Sequence, residues 1–160
     1  MIYYISLGSN IGNRLQNLKQ AKQWLAEHGT IQKQSSVFES AAWGNTRQAP
    51  FYNAVIRFQT EWRPFRLLRK LKAFETQAGR LRSEHWGPRL IDLDILLGEG
   101  MRISASILNI PHRYVEQRVF VLLPLSEIEP ELILPSGQNV KSVLKRDFLN
   151  KHLTKIAENW

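Results

Sequence analysis

Two aspartates interrupt the apolar run Ile91-Asp92-Leu93-Asp94-Ile95-Leu96-Leu97, and the alternation there has a period of two. That period belongs to a β-strand, in which residues two apart share a face and lie roughly 6.5 Å apart. Asp92 and Asp94 therefore project together from a strand whose other side, Leu93 and Ile95, belongs to a core. Two carboxylates side by side on a core strand repel each other and lose hydration unless cationic groups lie between them. The strand thus calls for a sheet packed on one face and a charge-compensating site on the other.

The rest of the chain supplies elements for such a sheet. Ile2 to Leu7 reads as a first strand, closed by the glycine-punctuated turn Gly8-Ser9-Asn10-Ile11-Gly12. Leu15, Leu18, Ala21, Trp24 and Leu25 mark a helical stripe, with Asn13 as its N-cap and Gly29 as its stop. Thr30 to Phe38 is a second strand, and Ser40 to Pro50 is a polar loop carrying Trp43. Tyr52 to Thr60 alternates as a third strand, with Ala54, Ile56 and Phe58 on one face. Pro64 opens an amphipathic helix through Leu67, Leu68, Leu71, Phe74 and Ala78, and Gly79 to Pro88 is a second loop. Beyond the aspartate strand, Pro111 opens a short helical or turn segment, and Asn139 to Arg146 and Leu149 to Ala157 read as two short helices. The order βαββαβ followed by small helices predicts an α+β fold. It is expected to be a ferredoxin-like α/β sandwich with a mainly antiparallel sheet and additional short C-terminal helices, with all 160 residues in one domain.

Composition narrows the function. With 22 Lys and Arg against 14 Asp and Glu the net charge is +8, which suggests an anionic partner without saying which. The segment from Glu61 to Leu90 holds eight basic and three acidic residues, so most of the excess is local and precedes the aspartate pair. No apolar run approaches the length of a bilayer span, no targeting leader is visible, and there is no cysteine, so a cytoplasmic protein without disulfides is expected. Gly8 to Gly12 lacks the spacing and the Lys of a phosphate-binding P-loop, and the scattered histidines do not suggest zinc.

A bare Asp-x-Asp is often just the wet face of an amphipathic strand. Here it follows Arg89 and a Gly87-Pro88 turn, with Arg80 and Arg82 upstream. Arginines near a carboxylate pair suit phosphoryl transfer, in which magnesium holds a nucleotide and guanidiniums offset charge on the transferred group. Phe120, inside Val119-Phe120-Val121-Leu122-Leu123, reads first as core packing and only second as a stacking face, and His112 equally as a surface or capping group or a ligand contact.

Several blocks then coincide: Leu7-Gly8-Ser9-Asn10-Ile11-Gly12-Asn13-Arg14, Phe51-Tyr52-Asn53-Ala54, Trp86-Gly87-Pro88-Arg89-x-x-Asp92-Leu93-Asp94 and Ile110-Pro111-His112. Together they closely resemble the 6-hydroxymethyl-7,8-dihydropterin pyrophosphokinases of folate biosynthesis, over essentially the whole chain. The resemblance implies magnesium-dependent transfer of pyrophosphate from ATP to the hydroxymethyl group of a reduced pterin, releasing AMP. It implies two magnesium ions on Asp92 and Asp94, with Arg80 and Arg89 as further catalytic residues. Lys72, Glu75, Arg82, Trp86, His112 and Arg118 would contact ATP. Ser40, Ala41, Trp43, Phe51, Asn53, Asp92 and Phe120 would hold the pterin.

A monomer is expected, with neither nucleic acid nor membrane as partner. Ser40-Ala41-Ala42, His85 and Arg113 depart from the family's usual residues, which bears on loop conformation and some ATP contacts rather than on the carboxylates. Two other readings remain at this point. One is a single-stranded nucleic-acid-binding module, permitted by the charge and fold but lacking the aromatic pattern on its central strands. The other is an inactive relative that keeps the ligands without turnover.

Overall fold

A computed structural model describes residues 1–42, 48–79, 88–147 and 153–160. Its centre is β1 (Ile2–Ser9), which pairs antiparallel with β4 (Phe51–Gln59) on one side and β5 (Asp92–Gly98) on the other. On the far side of β4 run β2 (Thr30–Gln34) and β3 (Val37–Ser40), and β8 (Thr154–Ala157) extends the sheet beyond β3. The predicted 30–38 strand is thus one path broken at Ser35-Ser36. There Ser35 bridges the gap: its N–H donates to the Val55 carbonyl, and its Oγ accepts from the Val55 N–H at 2.9 Å. All these pairings are antiparallel, as expected for the α+β sandwich. A separate ribbon is formed by β6 (Ile103–Ser104) and β7 (Asn109–Ile110).

Alternation along the central strands decides what lies above and below. Tyr3, Ile5 and Leu7 of β1, Ala54, Ile56 and Phe58 of β4, and Leu93 and Ile95 of β5 face one side. There they pack on Leu18, Ala21 and Leu25 of α1 (Arg14–Ala26) and Leu67 and Leu71 of α2 (Pro64–Gln77). Removing one such leucine to Ala would cost about 2–5 kcal/mol. Helix α1 begins where the sequence predicts, with the Asn13 side chain accepting from the Gln16 N–H at 3.1 Å. Gly29 has a different task from the one expected. The helix has already ended at Ala26, and a Cβ at Gly29 would lie 2.3 Å from the Gln59 carbonyl oxygen, so close backbone approach requires the glycine.

On the other side Tyr4, Val55, Leu96 and Leu97 pack under α3 (Val119–Ile128) and α4 (Val140–Asp147). Periodicity misses α3 because Val-Phe-Val-Leu-Leu-Pro-Leu is apolar nearly all round and carries Pro124 in its interior, so no stripe is visible. A second correction concerns the C-terminus. Of the expected helix from Leu149 to Ala157, Thr154–Ala157 is strand β8, and 149–152 lie outside the described residues. The free edge of β3 offers backbone hydrogen bonds there, and the terminal Trp160 is buried with its Nε1 donating to the Ser35 carbonyl at 2.8 Å. These tertiary contacts outweigh a weak helical stripe. Among the described residues, no helix is long and apolar enough to cross a membrane.

Glu127 ties α3 to the β-layer: its carboxylate accepts from the Ser36 N–H at 2.6 Å, the Ser36 hydroxyl at 2.8 Å and Lys155 Nζ at 3.1 Å. Burial pushes this carboxyl up, but the Ser36 and Lys155 donors outweigh it and hold the group below its ordinary value. A carboxyl lowered on folding adds stability above its unfolded pKa and loses it as pH falls through the folded value. Glu127→Gln is therefore expected to lower stability at pH 7 by about 1–2 kcal/mol and to flatten the loss of stability between about pH 5 and pH 3. Urea unfolding of both proteins across that range checks it, and parallel curves would contradict it.

Candidate active site

Helices α3 and α4 cover only part of their sheet face. Where they stop, β1, β4 and β5 present Ser6, Gly8, Asn53, Asp92 and Asp94 to a cavity of about 380 Å³. Register brings these together: Gly8 lies opposite both Asn53 and Asp92, and Ser6 lies opposite Asp94. Ser40, Ala41, Gln48 and Phe51 wall one side, and Arg89, His112, Arg113, Tyr114, Arg118 and Phe120 wall the other.

The β4 side is flat and sparsely polar. Asn53 is nearly buried, and its Nδ2 donates to Ser40 Oγ at 3.0 Å and to the Phe51 carbonyl at 3.3 Å. That fixes the amide plane beside the Phe51 ring. Gly8 is the floor: a Cβ there would stand in ordinary contact with Asn53 Oδ1 at 3.6 Å and Phe51 Cδ1 at 3.7 Å, so the glycine keeps the floor beside them bare. A planar heterocycle fits such a slot, with an aromatic face for stacking and an amide for directional hydrogen bonds.

The β5 side carries the charge. Arg89 Nη1 pairs with Asp92 Oδ1 at 2.5 Å. Asp94 faces Lys72 Nζ at 3.4 Å and Arg118 Nη1 at 3.6 Å. Burial pushes the Asp94 carboxyl up, but Lys72, His112 and Arg118 outweigh it and hold the group below its ordinary value. Burial also pushes the His112 imidazole down, against the pull of Asp94, so the ring is neutral near pH 7. Its Nδ1 accepts from the Tyr114 N–H at 3.1 Å, which leaves Nε2 with the proton to donate.

Phe120, in the first turn of α3, lines the cavity and also packs, half-buried, against the second core, so both of its sequence readings stand together. Lys72 and Glu75 do not line the cavity; they sit beside β5, where Glu75 is completely buried. Trp43, Arg80, Arg82 and Trp86 lie outside the described residues. Sequence reasoning missed Ser6, Gln48, Arg113 and Tyr114 as wall residues. The Ser6 signal was available in the alternation of Tyr4, Ser6 and Gly8 against Tyr3, Ile5 and Leu7, whereas the others arrive from loops that no period marks. The basic segment also divides: Arg89 reaches the cavity, while Arg66 and Lys70 lie over the Trp62 ring, each 5.7 Å from its centroid.

The donor set suits a hard divalent cation that arrives with a phosphate ligand. Asp92 and Asp94 offer carboxylate oxygens on one face, and among the described residues no group of three His, Asp or Glu forms a self-sufficient metal cage. Magnesium commonly takes one or two carboxylates and completes its shell with phosphate oxygens and water.

The family model described as 7,8-dihydro-6-hydroxymethylpterin-pyrophosphokinase (HPPK) matches residues 4–130. The chain belongs to the HPPK family. It is 40% identical over 145 residues to the 2-amino-4-hydroxy-6-hydroxymethyldihydropteridine pyrophosphokinase of Methylorubrum extorquens, covering 89% of this chain and 91% of that one. The enzyme of the same name from Aquifex aeolicus is 43% identical over 132 residues, covering 82% of each. In fold, the chain is similar to the crystal structure of Plasmodium falciparum HPPK-DHPS with pteroate, with a TM-score of 0.68 at 16% identity over 92% of this chain. It spans 43% of the length of that longer chain. The HPPK match takes in every predicted site residue and stops before α4 and β8, the elements that close the sheet edge and the second core.

Within this HPPK chain one small residue joins the two sides of the site. The Asn10 N–H donates to the Arg89 carbonyl at 3.0 Å, and Asn10 Oδ1 accepts from the Arg89 N–H at 2.7 Å. Its Nδ2 donates to Gln48 Oε1 at 3.2 Å and to the Ala49 carbonyl at 3.3 Å. Asn10→Ala removes three of these bonds at a nearly buried position. It is expected to cost about 1–3 kcal/mol and to free Arg89 from its place over Asp92. Chemical denaturation together with a lowered kcat would bear this out; a stability loss with unchanged turnover would separate Asn10 from the site.

Proposed function

We propose that this protein transfers pyrophosphate from ATP to the hydroxymethyl group of 6-hydroxymethyl-7,8-dihydropterin, releasing AMP. The observation that carries the proposal is a single cavity with a flat amide-and-phenyl slot at Asn53 and Phe51 on one side. On its other side stands a carboxylate pair ringed by cations. Membership of the HPPK family supports the same reading.

In this reading Ser40, Ala41, Phe51, Asn53 and Phe120 bind the pterin, with Asp92 close to its reacting end. The hydroxymethyl O–H bond breaks with its proton passing to solvent, the oxygen attacks the β-phosphorus to form a new O–P bond, and the bond from that phosphorus to the oxygen it shares with the α-phosphorus breaks, that oxygen leaving with AMP. In this reading Arg89 and Arg118, which line the cavity beside the aspartates, offset the negative charge that grows on the transferred group and on AMP, and His112 donates from Nε2 to the nucleotide; their place beside the carboxylates supports these roles. Asp92 and Asp94 would hold two magnesium ions, whose charge screens the ATP phosphates and acidifies the hydroxymethyl group. The segments that contain Trp43, Arg80, Arg82 and Trp86 flank the cavity in sequence, and these residues complete the proposed ATP and pterin contacts. A monomer acting in the cytoplasm completes the reading.

A nucleic-acid-binding module would need an open sheet face with stacked aromatics. On this face Tyr4 and Val55 are buried under α3 instead, which argues against that alternative.

Purified protein given magnesium, ATP and hydroxymethyldihydropterin is expected to form AMP and pyrophosphorylated pterin in equal amounts. ADP as the nucleotide product, or no turnover, would refute the reading. Asp94→Ala is expected to lower turnover by about three orders of magnitude or more while leaving the circular-dichroism spectrum unchanged.

A further inference from the structure

Among the described residues, strand β5 lies at one edge of the sheet, so part of its backbone pairs with no strand. Between the two aspartates, the Leu93 N–H donates to Glu75 Oε1 at 2.7 Å and the Leu93 carbonyl accepts from Lys72 Nζ at 2.8 Å. Lys72 and Glu75 are themselves an ion pair at 2.7 Å, one turn apart on α2. They act together as a stand-in for the missing strand, offering one acceptor and one donor at the spacing that β5 requires. The clamp is rigid on one side, since Glu75 is completely buried, whereas the Lys72 side chain is 39% exposed. The same ammonium then reaches Asp94 Oδ1 at 3.4 Å.

We propose that Lys72 is a positioning residue that serves as a built-in cation for Asp94: it holds the carboxylate in place in the metal-free protein and yields it when a divalent cation arrives with the nucleotide. This rests on the reading of Asp92 and Asp94 as metal ligands. Asp94 cannot stand on the sheet face without a nearby positive charge. Arg118 gives it one at 3.6 Å, and Lys72 gives another that is anchored independently, through Glu75 and Leu93. Because the ammonium lies closer to Glu75 and the Leu93 carbonyl, at 2.7 and 2.8 Å, than to Asp94 at 3.4 Å, it can give up Asp94 alone while the clamp on Leu93 stays closed, so exchanging one cation for another does not dismantle the strand edge. Lys72 is then a competitor for the metal ion as well as a support, and the affinity of Asp94 for a divalent cation is set partly by α2.

The experiment uses Lys72→Met, which keeps the stem and removes the charge, with Lys72→Arg as the conservative control and Asp94→Asn as the control for the metal reading. Magnesium is titrated in isothermal calorimetry against protein and a nonhydrolysable ATP analogue, and melting is followed in EDTA. Lys72→Met is expected to melt lower than wild type in EDTA and to need roughly threefold to tenfold less magnesium for analogue binding, and Lys72→Arg to restore the wild-type requirement. A purely structural Lys72 would lower melting and leave the magnesium midpoint where it was, or raise it; that result overturns the proposal while Asp94→Asn still loses its magnesium dependence. If Asp94→Asn binds the analogue with unaltered magnesium dependence, the metal reading itself fails and the exchange with it.

Discussion

Everything at this site depends on one strand face being shared between two kinds of neighbour. Strands β1, β4 and β5 must bury Tyr3, Ile5, Leu7, Ile56, Phe58 and Leu93 on the side of α1 and α2, so their alternate residues are committed to the opposite side. Helix α3 covers those alternates at Tyr4, Val55 and Leu96 and ends short of Ser6, Gly8, Asn53, Asp92 and Asp94. A cavity results without any gap in the core, because the same strands that pack Leu7 and Leu93 raise Gly8 and Asp92 into the open half. The site is rigid where it needs to be, since its floor is sheet rather than loop.

Two carboxylates on that floor are electrostatically unfavourable alone, and the fold answers with cations from three unrelated segments. Arg89 comes from the approach to β5, Lys72 from α2, and Arg118 from the residue that precedes α3. Among the described residues the basic segment before β5 divides: Arg89 and Lys72 meet the aspartates, while Arg66 and Lys70 lie over the Trp62 ring. Asn10 and the Lys72–Glu75 pair act one layer further out. They fix the backbone of Arg89 and of Leu93, and so fix where the charged side chains begin.

Much of this was legible in the sequence, for reasons that can be named. The strands β1, β4 and β5 and the helices α1 and α2 are amphipathic, so their periods show. Asp92 and Asp94 stand out because charge on an apolar strand needs a cause. Helix α3 is not legible, since a segment buried on nearly every side carries no stripe, and the β8 residues suggest a helix in sequence because a four-residue edge strand owes its conformation to β3 rather than to its own composition. Gly29 is conspicuous in sequence as a helix stop, but its role is the close approach to Gln59, a contact between distant residues that no local pattern shows.

The sequence by itself determined the α+β class, the antiparallel pairing of alternating strands, the projection of Asp92 and Asp94 from one face, and the resemblance to pyrophosphokinases. These follow from local periodicity and from motifs that read along the chain. Only the tertiary structure decided that Gly8 is the floor between Asn53 and Asp92, that Lys72 and Glu75 support β5 from its edge, and that Asn10 links Arg89 to Gln48 and Ala49. Each of these joins residues far apart in the chain through strand register or a side-chain hydrogen bond, and no local pattern of residues encodes which distant partner a hydrogen bond will find.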